Sequence, residues 1–172
     1  MPLFNTRNLI NAAIFIALTI ILTHIFAIQT TFTRIDFGFL AIAVFSMRFG
    51  PLAGGLVAAI ADIIGCIIFS PGMYFPGFTV SAFLTGTLYG IFYYNKPVTF
   101  LRALLANLAI ILLVGLVLNT IWLSILYNKA ATIIVYGRLI KCAIMLPLQT
   151  ALVYLLQKRL SPFTLNPKSL HQ

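Results

Sequence analysis

Asp62, Arg138 and Lys141 are charged residues that lie within long apolar stretches of the sequence. Exposing such a charge to lipid costs roughly 2.5 kcal/mol or more, so an ionisable side chain in a membrane segment needs a partner or a function. With a rise of about 1.5 Å per residue, Asp62 and Arg138 fall at matching depths in their predicted helices, and Lys141 follows Arg138 by one turn. These residues form either a structural ion pair or a carboxylate with surplus positive charge for an anionic ligand.

Asn119 and Trp122 place an amide and a flat aromatic surface on one side of another predicted helix. The Ser70–Gly90 segment opens with a turn rich in Pro and Gly that contains Tyr74 and Phe75. Irregular backbone next to a bilayer is tolerated where it packs on protein or lines a cavity. Trp122 is therefore either a residue of the interfacial aromatic belt or, with these rings, part of a stacking slot for a flat ligand.

Arg34 and Gln149 are two further polar candidates. Arg34 lies in a predicted outer loop, where an arginine is either simply solvated or placed to meet the acidic tail of a ligand. Gln149 falls about 25 Å along the last predicted helix, which is predicted to be too deep to join the other residues.

Several catalytic motifs are missing from the sequence. There is no GxxxxGK[ST] phosphate loop, which predicts that this chain does not hydrolyse ATP. It also has no HExxH or DDxxD run, and His24 and His171 lack the spacing of metal ligands, so we expect neither an enzyme nor a metal site. Cys66 and Cys142 lie in apolar segments without a CxxC motif and are predicted to be core residues.

The composition predicts the environment in which these polar residues lie. Of the 172 residues, 62% are hydrophobic and only 8% are charged, and the mean hydropathy is +1.09. A soluble domain of this length could not bury so much apolar surface, so the chain is predicted to be a polytopic membrane protein with one domain spanning residues 1–172. The expected fold is all-α, a compact bundle of six transmembrane helices near Leu9–Ile28, Phe37–Phe49, Leu52–Phe69, Thr79–Tyr94, Leu101–Leu126 and Thr132–Gln157.

The formal net charge of +9 comes mainly from Lys and Arg at the ends of these apolar segments. The positive-inside rule explains this distribution and predicts that both termini are cytoplasmic. The Gln29–Asp36 loop, the Ser70–Phe78 turn and the Tyr127–Ala131 loop would then share the outer face. The sequence has no basic, aromatic-interleaved pattern of the kind that binds nucleic acid.

Two predicted helices carry faces of small residues, which allow close helix packing. On the first helix, Ala13 and Ala17 serve either internal packing or the docking of a separate membrane subunit. On the third helix, Gly54, Ala58, Ala61, Asp62 and Gly65 form a second small face that is predicted to pack inside the bundle.

Five sequence blocks spread over most of the chain carry a family likeness. They are FGFLAIA (Phe37–Ala43), FGPLAGGLVAAIADIIG (Phe49–Gly65), YFPGFTVSAFLTGTLYG (Tyr74–Gly90), LNTIWLSILY (Leu118–Tyr127) and RLIKCAIMLPLQ (Arg138–Gln149). Together with the Ala-x-x-x-Ala pattern of the first helix, they resemble the substrate-binding S components of energy-coupling factor (ECF) vitamin transporters, and among these the folate-specific branch.

This resemblance implies a subunit of the bacterial cell membrane that binds folate from outside. It would deliver folate inward by reorienting on a coupling transmembrane subunit that carries two ATPases. ATP would be used by those partners, no cofactor is implied for this chain, and Ala13 and Ala17 would dock on the coupling subunit. Folate chemistry then suggests stacking by Tyr74, Phe75 and Trp122, hydrogen bonds to the pterin from Asp62 and Asn119, and neutralisation of the glutamate tail by Arg34, Arg138 or Lys141.

The sequence leaves three alternatives open. The chain could be an S component for another vitamin, such as riboflavin or thiamin. It could be a self-sufficient ion-coupled secondary transporter, although such proteins usually show repeat symmetry and more intramembrane acids. It could also be a structural membrane subunit without a ligand.

Overall fold

Six helical rods form the part of the chain that the computed structural model describes, which is residues 6–26, 28–30, 33–69, 74–96, 99–127 and 131–164. The side chains of residues 28–30, 33–35, 126–127, 131–141 and 160–164 lie outside this description. The helices are α1 (Thr6–Ile20), α2 (Gly38–Phe49), α3 (Pro51–Phe69), α4 (Pro76–Tyr93), α5 (Phe100–Ala109), α6 (Asn119–Tyr127) and α7 (Ala131–Thr164). A π-helical segment, Ile21–Ile25, continues α1, and a second, Ile110–Leu118, joins α5 to α6 in one rod.

The predicted all-helical bundle is confirmed, with differences at the helix ends. The first rod ends at Ile25 instead of Ile28, and the expected outer loop contains an antiparallel hairpin of β1 (Ile28–Thr30) and β2 (Thr33–Ile35). Helix α4 begins at Pro76 instead of Thr79, because proline fits the first turn of a helix, where an N–H has no helical partner.

The outer surface of the bundle is apolar. Within the described residues, Thr6–Ile25, Pro51–Phe69 and Phe100–Ile125 are long and apolar enough to cross a membrane, and α2 is a shorter apolar helix. Leu9, Ile67 and Leu101 leave 65%, 74% and 65% of their surface uncovered. A surface of this kind needs the hydrocarbon of a bilayer around it.

The connection between α2 and α3 turns at Gly50, which lies between the second and third predicted helices. Gly50 has a φ of +94°, which favours glycine, and its N–H donates to the carbonyl of Ser46 at 2.9 Å. Helix α3 therefore begins immediately at Pro51 and runs back alongside α2.

Helices α3 and α4 pack closely through small residues. Gly54, Ala58, Ala61 and Gly65 are buried on α3, which confirms the predicted internal packing of these residues, whereas Asp62 of the same face is only half-buried. On α4, a methyl group added to Gly86 would lie 2.6 Å from the carbonyl carbon of Gly54. The two backbones can approach this closely only because both residues lack side chains.

Buried hydrogen bonds connect α4, α5 and α7 on the other side of the bundle. The Tyr89 hydroxyl donates to Asn107 Oδ1 at 2.8 Å, and Asn107 Nδ2 donates to Thr150 Oγ1 at 3.4 Å. All three residues are buried, so these bonds fix the relative positions of the helices that enclose the cavity described next.

Candidate functional site: a polar cavity in the bundle

A cavity with a volume of about 240 Å³ lies between α1, α2, α3, α4 and the α5–α6 rod. Its wall has a polar part that contains both carboxylates of the chain, Asp36 and Asp62, together with Asn119. Phe39 and Phe78 contribute flat apolar surface. We call this cavity the first lobe.

A second lobe of about 220 Å³ adjoins the first and shares Asp36, Thr85, Val114 and Asn119 with it. Helix α7 adds Cys142, Met145 and Gln149, which are spaced along one helical face. Pockets for small molecules usually measure about 300–1,000 Å³, so the two lobes together are large enough for a ligand of vitamin size.

Asp62 is held at the wall of the first lobe by a chain of hydroxyl groups. Thr79 Oγ1 donates to Asp62 Oδ2 at 2.8 Å, and the Tyr74 hydroxyl lies 2.8 Å from Thr79 Oγ1. Because the Thr79 proton is directed to the carboxylate, the Tyr74 hydroxyl must donate to Thr79. Tyr74 was predicted to stack on a ligand. In this structure its hydroxyl binds Thr79, which in turn binds the carboxylate of Asp62.

Asp36 is a cavity residue that the sequence analysis did not identify. It lies between β2 and α2 and lines both lobes. The signal was present, because Asp36 is one of only two acidic residues in the chain and directly precedes the FGFLAIA block. Asp36 was missed because it does not lie inside an apolar helix, where a charged residue stands out.

The cavity also contains amide oxygens that can accept hydrogen bonds from a ligand. Within the described residues, Asn119 Oδ1 and Gln149 Oε1 are buried and have no hydrogen-bond partner. An unsatisfied buried acceptor costs about 1–3 kcal/mol, which a ligand with N–H groups can recover. The prediction that Gln149 is too deep is wrong, because the second lobe extends along α7 and brings Gln149 and Asn119 to the same wall.

Trp122 packs against the start of α4 behind the cavity. Its Nε1 donates to Ser81 Oγ at 3.2 Å, and the ring centroids of Trp122 and Phe75 are 5.7 Å apart. Gly77 lies between them, where any side chain would collide with both rings. Among the described residues, Ser81 but not Trp122 lines the first lobe, so Trp122 and Phe75 position the wall that Ser81 contributes.

The two π-helical segments flank the cavity. Thr23 belongs to the first segment and lines the first lobe, while Val114 belongs to the second and lines both lobes. A π turn holds an additional residue compared with an α turn, so it changes the direction of the side chains that follow, and it often occurs at functional sites. Asn119 follows the second segment directly.

Three predicted cationic site residues, Arg34, Arg138 and Lys141, lie outside the residues whose side chains are described. Their backbone positions are known: Arg34 belongs to β2, the other two belong to α7, and β2 contacts α7. The ion pair predicted between Asp62 and one of the α7 cations therefore stays a prediction.

Ala13 and Ala17 are exposed on the outer face of α1, whereas Ala12, Phe15 and Ile16 pack inward against Phe45 and its neighbours. Internal packing therefore does not explain the Ala-x-x-x-Ala pattern. Its role in docking a partner subunit stays a prediction.

A bundle of apolar helices that encloses a polar cavity is the architecture of a membrane subunit that binds a small ligand. The family model for the ECF transporter substrate-specific component matches residues 7–157. The chain therefore belongs to the family of ECF transporter S components, as the sequence predicted, and it is a multi-pass protein of the cell membrane.

Two relatives and one solved structure are similar to this chain in sequence. The folate transporter FolT of Clostridium novyi (strain NT) is 47% identical over 146 residues, covering 85% of this chain and 85% of the relative. The folate transporter FolT of Leuconostoc mesenteroides subsp. mesenteroides is 31% identical over 161 residues, covering 90% and 86%. A crystal structure of FolT bound with folic acid has a TM-score of 0.86 at 36% identity, covering 90% of this chain and 95% of that one.

Proposed function

We propose that this chain is the folate-binding subunit of an ECF importer. The observation that carries the proposal is the polar wall of the cavity, which brings together hydrogen-bond acceptors: the carboxylates of Asp36 and Asp62 and the amide oxygens of Asn119 and Gln149, which have no partner among the described residues. The pterin of folate is a flat ring whose ring N–H and 2-amino groups are donors, so it complements these acceptors. The relatives named above are folate transporters and support the same ligand.

The charges that line the cavity determine which end of folate lies in which lobe. Asp36 and Asp62 both line the first lobe, whereas only Asp36 of the two also lines the second, so the dianionic glutamate tail of folate is repelled more strongly from the first lobe, which accepts the neutral pterin. The tail then extends along the second lobe toward α7, on which Arg138 precedes Cys142 by about one helical turn. Arg34, Arg138 and Lys141 are proposed to neutralise the tail, which their positions on the adjoining elements β2 and α7 favour.

Transport needs partners in this proposal. The chain has no phosphate loop, so the energy comes from separate ATPases through a coupling membrane subunit. The exposed Ala13 and Ala17 on α1 are proposed to contact that subunit, because small residues let two membrane helices approach closely. We assign no chemical reaction and no cofactor to the chain itself, and we place both termini in the cytoplasm.

The proposal is tested by binding to the purified chain in detergent. We expect it to retain folate at submicromolar concentration and to keep it when riboflavin or thiamin is present in excess. Tight binding of riboflavin or thiamin instead of folate would assign a different vitamin. Concentrative folate uptake by this chain alone, in liposomes without the coupling subunit and ATPases, would contradict the need for partners.

Cys142 reports whether the ligand reaches the second lobe. In a Cys66→Ser background, a small methanethiosulfonate reagent should modify Cys142, which lines this lobe, and bound folate should slow the modification. Free pterin lacks the benzoyl-glutamate part and fills only the first lobe, so it should leave the rate nearly unchanged. The measurement is the rate of modification followed by mass spectrometry, with Cys142→Ser as control. Equal protection by pterin and folate would place the pterin in the second lobe and reverse the proposed direction.

A further inference from the structure

Gly115 lies on the wall of the second lobe, within the π-helical segment that joins α5 to α6. Glycine inside a helix is less stable than alanine by about 0.5–1 kcal/mol, so its presence there needs a reason. For the other glycines that the structure describes, the reason is visible. Gly50 has a positive φ, and at each of the rest an added Cβ would come within 3.0 Å of a neighbouring atom.

Neither reason applies to Gly115. Its φ is not positive, and the nearest atom to an added Cβ would be the carbonyl oxygen of Ile110, at 3.9 Å. Ile111 and Asn119, four residues before and after Gly115, also line the second lobe, whereas Val117 leaves 50% of its surface uncovered on the outer side. The open space beside Gly115 therefore belongs to the second lobe. A loss of helix stability at the wall of a binding cavity is typical of a functional position.

Cys142 of α7 lies across the second lobe from Gly115. Residues 128–130 alone separate α6 from α7, and α7 contacts α5, the π-helical segment and α6, so the two rods run in opposite directions. The hydrogen bond between Asn107 and Thr150 fixes their relative level. Gly115 lies eight residues after Asn107, and Cys142 lies eight residues before Thr150, so both are near one level. Since both line the second lobe, the gap between them is its width at this point.

A ligand that reaches from the first lobe to α7 must pass this gap. Asn119 lines both lobes, whereas Gly115, one turn earlier, lines only the second. The group that follows the pterin in folate is the flat aminobenzoyl ring, which a wall without a side chain can accommodate. We propose that Gly115 determines the length of the ligands that the cavity accepts, because its missing side chain leaves room for the aminobenzoyl ring opposite Cys142. This inference rests on the proposed function and adds the residue that separates folates from short pterins.

Three ligands of increasing length test the proposal: pterin, pteroic acid, which carries the aminobenzoate without glutamate, and folate. Their dissociation constants are measured by isothermal titration of the purified protein. Gly115→Leu should weaken the binding of pteroic acid and folate by the same factor, about 100-fold, and should leave the affinity for pterin within about threefold. Gly115→Ala adds a single carbon atom and should weaken folate binding by about tenfold at most.

Val117→Leu is the matched control, because it enlarges a side chain of the same π-helical segment on the outer side of the rod. It should bind all three ligands like the unchanged protein. Thermal unfolding without ligand shows whether the variants fold. Both Gly115 variants should unfold at or above the temperature of the unchanged protein, since alanine and leucine are better helix formers than glycine.

Four results would overturn the proposal. One is normal folate binding by Gly115→Leu, and another is an equal loss in Gly115→Ala, which would show that the segment needs the flexibility of glycine. An equal loss of pterin would indicate that the whole cavity is displaced. A loss of folate alone, with normal binding of pteroic acid, would place the glutamate beside Gly115. Failure of the proposed function is distinct, because the unchanged protein itself would then not retain folate.

Discussion

Asp62→Asn is expected to weaken folate binding by about one to two orders of magnitude. A hydrogen bond to a charged group contributes about 1.5–3 kcal/mol, and each 1.4 kcal/mol changes the dissociation constant tenfold. The substitution keeps the size of the side chain, and its remaining oxygen can still accept the bond from Thr79. The new amide presents N–H donors where the pterin also presents donors, so the affinity falls while the local geometry is retained.

The same substitution should not destabilise the protein without ligand. Removing a charge from a membrane helix lowers its desolvation cost, and the retained oxygen keeps the bond from Thr79, so the fold should be retained; a clear fall in the unfolding temperature would show that Asp62 forms the predicted ion pair with α7. The measurement is isothermal titration with folate, next to thermal unfolding in its absence. An Asp62→Asn variant that binds folate like the unchanged protein would show that the carboxylate does not contact the pterin.

Two variants of Thr79 serve as a matched pair for this experiment. Thr79→Val removes the donor to Asp62 and the acceptor for Tyr74, so it should weaken binding by less than Asp62→Asn, because the carboxylate itself remains. Thr79→Ser keeps the hydroxyl group and should bind nearly normally. A similar loss in both variants would indicate that the Thr79 methyl group is important and the hydroxyl chain is not.

The helical bundle was predictable because bilayer thickness fixes the length of an apolar segment. The break between α2 and α3 followed from local chemistry, because Gly50 takes a positive φ there. The start of α4 was predicted three residues too late, although Pro76 fits the first turn of a helix, where an N–H is not needed. The hairpin of β1 and β2 was not predictable, because three-residue strands are too short for a clear alternation of apolar and polar residues. The π-helical segments were not predictable either. Ile110–Leu118 is apolar throughout, so the spacing of its apolar residues does not differ from that of an α-helix.

The site was predictable where an intramembrane residue was polar, and less so elsewhere. Asp62 and Asn119 were identified because a polar group in an apolar helix is costly unless it has a partner or a function. The structure places both residues at the same cavity. Asp36 was missed because it lies outside a helix, and Gln149 was excluded because its depth was judged from one helix alone. Cavity shape depends on how several helices pack against each other, which the pattern of a single helix does not contain.

Gly86→Ala is expected to destabilise the protein strongly, because the added methyl group would meet backbone atoms of α3. The new Cβ would lie 2.6 Å from the carbonyl carbon of Gly54 and 2.9 Å from the Cα of Gly55, and backbone atoms cannot rotate away as side chains can. Overpacking costs about 1–3 kcal/mol, and contacts with backbone favour the upper part of this range. The unfolding temperature should fall by roughly 5–10 °C, measured by differential scanning fluorimetry in detergent.

Gly115→Ala provides the matched control, because the same methyl group there would have its nearest neighbour, the carbonyl oxygen of Ile110, at 3.9 Å. Glycine is a poor helix former, so this variant should unfold at the same temperature as the unchanged protein or slightly higher. In Gly86→Ala, α3 and α4 must separate, which stretches the bond from Thr79 to Asp62 and should also lower the affinity for folate. Equal unfolding temperatures for the two variants would show that the α3–α4 contact can relax, and that the close approach of the two glycines does not hold the cavity in shape.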